Sequence, residues 1–404
     1  MHIAQFTNTY HPVISGVVRS VSEFRWALSE HGHNVFIFAQ QEHSYKDREP
    51  FIFRYPALDL GLPGDFPATF PFSPFIDTLF PSLKVDVIHS HHPFLLGQAA
   101  VDKAKDFGLP LVFTFHTRYR EYSHYFPISQ ETVQEFVKGA IDNWLRNYIR
   151  QCQHIVVPSE SIRRILADEY GVISQTTVIP TGLNLENYRR ANGAGIRKKL
   201  GWQDDTVLIS VGRLAKEKNW ETMLSAAKIV LEQRTGIKLV IIGDGPYREK
   251  LEKITEKAGI ARNVEFVGKV PFEQVPDYLK AADLFCFASV TETQGLVTME
   301  ALAAGLPVVA VNATGTRDVL EDNVQGFLTE NSPEALANGV LRILDDKSLY
   351  RRFQKEARVK VQEFDINQLA EKLVAVYEIA IEAKRANKSV QVESESGDAV
   401  QVRG

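Results

Sequence analysis

Apolar residues along this chain fall into short continuous runs, and the stretches between the runs carry helical spacing. "HIAQF" reads as a strand. After the turn "TYHPVISG", Val17, Val21, Phe24 and Leu28 recur at i, i+4, i+7 and i+11, the stripe of a helix buried along one face. "HGHNVFIFA" ends that helix at Gly32 and opens a second strand. "VDVIHS", "LPLVFTF", "HIVVPS" and "TVIPTG" read as further strands. A strand that is apolar on both sides must be covered on both sides, so this alternation predicts a parallel sheet between two layers of helices.

The pattern then breaks at "ANGAG", a polar join, and restarts with "TVLISVG", "IKLVIIG", "VEFVG", "DLFCFAS", "LPVVAV" and "QGFLT". A second doubly wound α/β domain is expected. The boundaries read as 1–185 for the first domain and 196–365 for the second. The helical "NQLAEKLVAVYEIAIEAKRAN", within 366–387, is expected to return to the first domain, and 388–404 is polar enough to predict a disordered tail. At 404 residues the chain is longer than a single core usually serves. In sheets of this kind ligands bind beyond the carboxyl ends of the strands, so two such domains would face one another across a cleft.

Composition narrows the classes. A net charge of −4 disfavours a nucleic-acid binder, which needs a basic surface. Two cysteines in apolar contexts, Cys152 and Cys286, give no disulfide framework and suit a reducing compartment. The opening residues lack the basic and apolar segments of a secretion signal, and no run is long enough to span a bilayer. The expected location is the cytoplasm, with peripheral attachment to the cytoplasmic face of a membrane left open by these features. All 11 histidines lie at or before His154, so whatever chemistry the second half supports does not use histidine.

The segments after the second-half strands carry the informative residues. "RLAKEKN" places Arg213 and Lys218 beyond the first strand, "DGPYREK" follows the glycine of the second, and "KV" follows that of the third. Two cations, glycine-bearing turns and a helix start on one rim read as a phosphate site. "GDGPYR" supplies Gly243 and Gly245 but lacks the third glycine of a dinucleotide fingerprint, and no phosphate-loop motif G-x-x-x-x-G-K-[ST] occurs. No Asp-x-Asp pair is present to hold a metal on a diphosphate, so protein cations are expected to balance the charge and no metal is expected. In "TETQGLVTMEALAAGLPVVA", Glu292 lies in a loop before Gly295, and Glu300 one turn into the helix that starts near Leu296. Carboxylates in those positions can accept hydrogen bonds from sugar hydroxyls, although a plain surface charge is the alternative for Glu300.

"GRLAKEKN", "IIGDGP", "FVGKVP" and "SVTETQGLVTMEALAAGLPVVA", in this order, resemble the retaining GT-B glycosyltransferases of family 4, whose signature is the E-x7-E pair. The resemblance runs over nearly all of the chain to about residue 385. It implies that Arg213 and Lys218 bind the diphosphate of a nucleotide sugar, that Glu300 binds the ribose, and that Glu292 with the backbone of Gly295 and Leu296 holds the sugar. The turn Gly268–Lys269–Val270 would hold the base, and Gly243 belongs to the same rim. In the first half, Gly16 in "SGVVRS" would leave room for the phosphates, and His116 in "FTFHTR" would contact the donor sugar near the reacting centre. "HSHHP", from His89 to Pro93, reads as a capping cluster at a strand end rather than a metal site.

"HTRYREYSHY" resembles, more narrowly, the diacylglycerol glucosyltransferases, which puts Tyr119, Tyr122, His124 and Tyr125 on the acceptor side. Two positions depart from the usual pattern: Arg120 stands where an acidic residue is common, and Asn184 where aspartate is. Residues 51–80 contain eight aromatics among prolines, too irregular for a buried helix and a candidate membrane contact. The expectation is a retaining hexosyltransferase that uses a UDP-sugar, UDP-glucose foremost, and a lipid hydroxyl such as diacylglycerol. It would need no cofactor beyond that co-substrate. A soluble sugar or sugar phosphate as acceptor is the alternative, with a sugar-nucleotide epimerase or a non-catalytic binding module further off.

Overall fold

The computed structural model describes residues 1–42, 45–58, 68–117 and 131–393. The chain divides into two compact units, one of residues Met1–Gly182 together with Ile366 onward and one of Leu183–Asp365.

The first unit contains β1 (His2–Thr7), α1 (Gly16–Glu30), β2 (Asn34–Gln40), β3 (Ile52–Tyr55), β4 (Ala57–Leu58), β5 (Ala68–Thr69) and α2 (Pro74–Leu79). It continues with β6 (Val87–Ser90), α3 (Leu96–Asp106), β7 (Leu111–Thr114), α4 (Glu131–Ile149), β8 (His154–Val157), α5 (Glu160–Tyr170) and β9 (Thr176–Val178). Seven strands form one sheet in the order β3-β2-β1-β6-β7-β8-β9, and every pairing in it is parallel. Alternate residues of one strand serve opposite cores. Ala4 and Phe6 pack with Phe36, Phe38 and residues of α3 and α5 on one face, whereas Ile3, Val35 and Ile37 pack with α1 on the other. That second face is also covered by α15 (Ile366–Arg385), through Leu369, Leu373, Val376 and Tyr377.

Two features of this unit differ from the sequence reading. Residues 52–55, read there as part of an irregular aromatic segment, form the edge strand β3, in register with Ile37–Gln40, and bury Tyr55. The sheet supplies the partner that a four-residue run cannot advertise. Residues 388–393, expected to be disordered, are ordered: Val390 N donates to Cys152 O, Val392 bridges Val172 antiparallel, and Glu393 N donates to Gly171 O. Two valines two residues apart suffice to tie down a polar strap when a core edge receives them, and Val390 is buried there.

The second unit opens with α6 (Leu185–Arg190) and α7 (Gly193–Leu200), so the join "ANGAG", residues 191–195, is structured, being helical from Gly193. Asn184 caps α6, its side chain accepting from Glu186 N as an aspartate would, so the departure at this position keeps the local hydrogen bond. There follow β10 (Thr206–Val211), α8 (Trp220–Gln233), β11 (Ile237–Ile242), α9 (Arg248–Lys257), β12 (Val264–Gly268), α10 (Val275–Lys280), β13 (Leu284–Phe287) and α11 (Leu296–Ala304). The unit ends with β14 (Val308–Val311), α12 (Thr316–Val319), β15 (Gly326–Thr329), α13 (Pro333–Asp345) and α14 (Lys347–Lys360). Its six strands are ordered β12-β11-β10-β13-β14-β15, all parallel. One core lies under α8 and α13, the other under α10 and α11, so this sheet too is covered on both faces.

Candidate active site

Both sheets reverse their strand order once, between β1 and β6 in the first unit and between β10 and β13 in the second. The loops leaving two adjacent strands diverge there, and the gap they leave at the carboxyl ends is where such sheets bind ligands. In the second unit those loops are 212–219 and 288–295, which carry Arg213, Lys218 and Glu292.

Lys218 Nζ lies 2.6 Å from Glu292 Oε1, and Ser289 Oγ donates to the same oxygen at 2.7 Å. The ion pair joins the β10 loop to the β13 loop, and both side chains are largely but not wholly covered. Asn219, at a left-handed φ of 56°, adds a second tie between the same loops by donating through Nδ2 to Ala288 O at 3.0 Å. Arg213 is exposed, and among the described residues its guanidinium has no hydrogen-bond or ion-pair partner, while its carbonyl accepts from Trp220 Nε1. An ammonium has three donors, so with one on Glu292 Lys218 keeps two for other oxygens.

Helix α11 begins at Leu296 with Gly295 as its N-cap, φ +73°. The left-handed turn is needed because the 292–295 loop folds tightly on 315–316: a Cβ on Gly295 would sit 3.1 Å from Gly315 O, and one on Gly315 only 2.6 Å from Glu292 O. Gly295 carries no side chain to cap the helix, so the first N–H groups of α11 remain donors at the rim, next to Glu292. Glu300 lies one turn further in and is 3% exposed. It is not a surface charge: Tyr188 on α6 donates its hydroxyl to Oε1 at 3.3 Å.

Gly243 and Gly268 meet directly. Gly243 N donates to Gly268 O at 2.9 Å, which holds the turns after β11 and β12 side by side and leaves Lys269 exposed and Val270 half-buried. The absence of a side chain at Gly243 is a packing requirement as well, since a Cβ there would lie 1.9 Å from Gly212 O, beneath the Arg213 loop. The structure thus brings Arg213, Lys218, Gly243, Gly268, Lys269, Val270, Glu292, Gly295, Leu296 and Glu300 to the carboxyl end of one sheet. Tyr188, Ser289 and Asn219 belong with them and were not found from the sequence. Ser289 stands within the quoted motif and was legible. Tyr188 lies more than a hundred residues from its partner, and no spacing rule connects them.

In the first unit Gly16 is the first residue of α1, whose N-cap Ser15 accepts from Val18 N. His116 follows β7. The histidines in and after β6 and after β7 form a connected group: His89 Nδ1 bonds Tyr377 Oη at 2.8 Å and its Nε2 bonds Thr114 Oγ1 at 2.6 Å, while His91 Nδ1 lies 2.9 Å from His116 Nε2. His92 Nδ1 accepts from Asn8 N, which joins the β6 loop to the β1 loop. Burial holds these rings neutral, bringing His89 down to about 3 and His92 to about 4, and placing His91 and His116 well below the ordinary imidazole range. Among the described residues no group of three His, Cys, Asp or Glu side chains is arranged to hold a metal ion. Tyr119, Tyr122, His124 and Tyr125 lie outside the described residues.

Two all-parallel sheets of this strand order, one carrying a cation–glutamate rim beside an uncapped helix start, define a two-domain GT-B glycosyltransferase. Residues 194–360 match the family described as Glycosyl transferases group 1, and residues 14–187 that described as Glycosyltransferase Family 4. The chain belongs to this family. It is similar to an alpha-monoglucosyldiacylglycerol synthase of Streptococcus pneumoniae, 32% identical over 85% of this chain and 78% of that one. A protein of the same description from Acholeplasma laidlawii is 29% identical over 90% of this chain and 93% of that one. Among solved structures, Anabaena HepE in complex with UDP and glucose superposes with a TM-score of 0.75 at 18% identity, covering 94% of this chain and 99% of that one. At that identity the likeness speaks for the fold.

Proposed function

We propose that this glycosyltransferase moves a glucosyl unit from UDP-glucose to a lipid hydroxyl, that of diacylglycerol, with retention at the anomeric carbon. The observation that carries the reading is the Lys218–Glu292–Ser289 cluster at the strand-order reversal, beside the open N-terminus of α11. It supplies a cation, free backbone donors and a carboxylate within one rim, the set that a sugar diphosphate needs. Arg213 and the two remaining Lys218 donors bind the diphosphate, Glu292 and the backbone of Gly295 and Leu296 hold the sugar, and Glu300 takes the ribose. Gly268, Lys269 and Val270 flank the base. Gly16 leaves room for the phosphates at the start of α1, and His116 contacts the sugar.

In the reaction the bond between the anomeric carbon and the diphosphate oxygen breaks, and its electron pair stays on that oxygen. The acceptor oxygen bonds the carbon from the same face and its proton passes to the departing phosphate. Charge builds on the diphosphate as the bond lengthens, so Arg213, Lys218 and the α11 terminus act most strongly in the transition state. No metal takes part, because protein cations carry that role. The lipid acceptor is supported by the description of the two relatives and by Phe70, Phe72 and Phe75, which are exposed around the start of α2. Peripheral attachment at the cytoplasmic face of a membrane belongs to the same reading, since it would bring the lipid hydroxyl to the site; among the described residues no helix is long and apolar enough to cross a membrane. The residues outside the described segments, Tyr119, Tyr122, His124 and Tyr125, are the acceptor-side candidates.

Incubation with UDP- and GDP-sugars, with and without diacylglycerol or soluble sugars, and product mass spectrometry tests this. A monoglucosyl lipid formed only from UDP-glucose and lipid is expected. Transfer to a soluble sugar alone, or sugar-nucleotide conversion without an acceptor, would replace the reading.

A further inference from the structure

Three imidazoles lie in succession at β6 and β7. His89 and His91 have ring centroids 4.4 Å apart, and His91 and His116 5.2 Å. Tyr377 and Thr114 pin the first ring through both nitrogens, and His91 N donates to Phe6 O, so the middle ring is held from its backbone and by its neighbour. The end ring, His116, is half-buried.

The contact of His91 Nδ1 with His116 Nε2 at 2.9 Å carries one proton between two neutral rings, and the ring that supplies it decides both tautomers. If His116 donates, His91 bears its own proton on Nε2. That atom is fully buried and has no hydrogen-bond partner, so this arrangement strands an N–H. If His91 donates, its Nε2 is a bare lone pair, buried without a partner, and His116 bears its proton on Nδ1. Stranded buried N–H groups are the rarer of the two defects, because an unmade donor forfeits a full hydrogen bond. The second arrangement is therefore the stable one. His116 Nδ1 has no partner among the described residues and stands as a donor at the end of β7.

We propose that His91 is a positioning residue: it holds His116 as the Nδ1–H tautomer, which makes His116 a hydrogen-bond donor to an oxygen of the sugar nucleotide rather than a proton acceptor. The role of His116 rests on the function proposed above; the tautomer rests on the histidine geometry alone. Burial, acting first, and the neighbouring imidazoles keep both rings neutral, as a shared single proton requires.

Long-range 1H–15N NMR on protein labelled at histidine, with His116→Asn identifying the signals, reads the tautomer without any substrate. A protonated Nδ1 and a bare Nε2 are expected, and the opposite pattern overturns the proposal. In turnover of UDP-glucose, His91→Asn keeps an N–H donor near the Nδ1 position and is expected within about threefold of the wild type. His91→Leu is expected to lose roughly 10–100-fold in kcat with little change in KM, taking as the scale the loss when a partner that orients a metal-bound histidine is removed. In a His116→Ala background the same leucine substitution should cost nothing further. An equal loss in that background would show that His91 serves the fold and not His116. If the wild type does not use UDP-glucose at all, the proposed function falls, while the NMR result still decides the tautomer.

Discussion

Lys218 Nζ and Glu292 Oε1 lie 2.6 Å apart across two loops separated by 74 residues, so the cation and the carboxylate of this rim hold each other in place. The pair is largely but not wholly covered, so both groups stay within reach of a ligand, and Ser289 still donates to the carboxylate when the lysine is removed. Lys218→Ala and Arg213→Ala should therefore fold normally and turn over slowly. Loss of one charge-assisted phosphate contact is worth about 2–4 kcal/mol in the transition state, roughly 10²–10³ in kcat. Circular dichroism and kinetics on the double variant check this; wild-type turnover by a folded protein would remove both residues from the mechanism.

Glu300 is buried with Tyr188 as a donor, so its binding role separates from its structural one. Glu300→Gln is expected to raise KM for UDP-glucose by roughly 10–100-fold, the cost of about 1.5–3 kcal/mol for a charged hydrogen bond. Tyr188→Phe, which removes a donor and leaves the carboxylate, should lower thermal stability slightly and change KM less. Steady-state kinetics on both variants would expose a reversed order.

Turnover should survive excess EDTA unchanged. Abolition by the chelator and recovery with Mg²⁺ would mean that a metal, not Arg213 and Lys218, balances the diphosphate.

Acid should unfold the first unit before the second. His89 is held near 3 by burial, and His154 near 4, both below the 6.5 of an exposed imidazole. Above about pH 6.5 folded and unfolded states are both neutral at these sites. As pH falls, only the unfolded chain takes up the protons, so native stability is lost from about pH 6.5 down to the folded values. Each buried ring sets a limit of about 1.4 kcal/mol per pH unit. The second unit has no histidine, so calorimetry between pH 7.5 and 5.5 should show a transition of the first unit moving down while the other stays.

Phe72 and Phe75 are 65% and 68% exposed, so serine at both should leave the core intact. Co-sedimentation with anionic liposomes is expected to fall severalfold in Phe72→Ser/Phe75→Ser, with thermal stability unchanged. Equal binding by variant and wild type would move the membrane contact elsewhere.

The strands most plainly legible in the sequence are those buried along their length, because such strands must be apolar throughout: "HIAQF", "HIVVPS" and "LPVVAV" announce β1, β8 and β14 without a partner, and the half-covered β9 and β12 were read from shorter apolar runs. The motifs after β10 and β13 were legible for a related reason, since glycines and charges in the midst of apolar runs have few structural uses. The edge strand β3, the ordering of Val390 and Val392, the donation of Tyr188 to Glu300 and the pairing of His91 with His116 were not. Each depends on a partner distant in the chain, and a residue's own type says nothing about which distant group will reach it. Local sequence determined the helices, the strands and the kinds of chemistry at their ends. Only the strand order, which places β10 beside β13 and β6 beside β7, decided which of those residues touch.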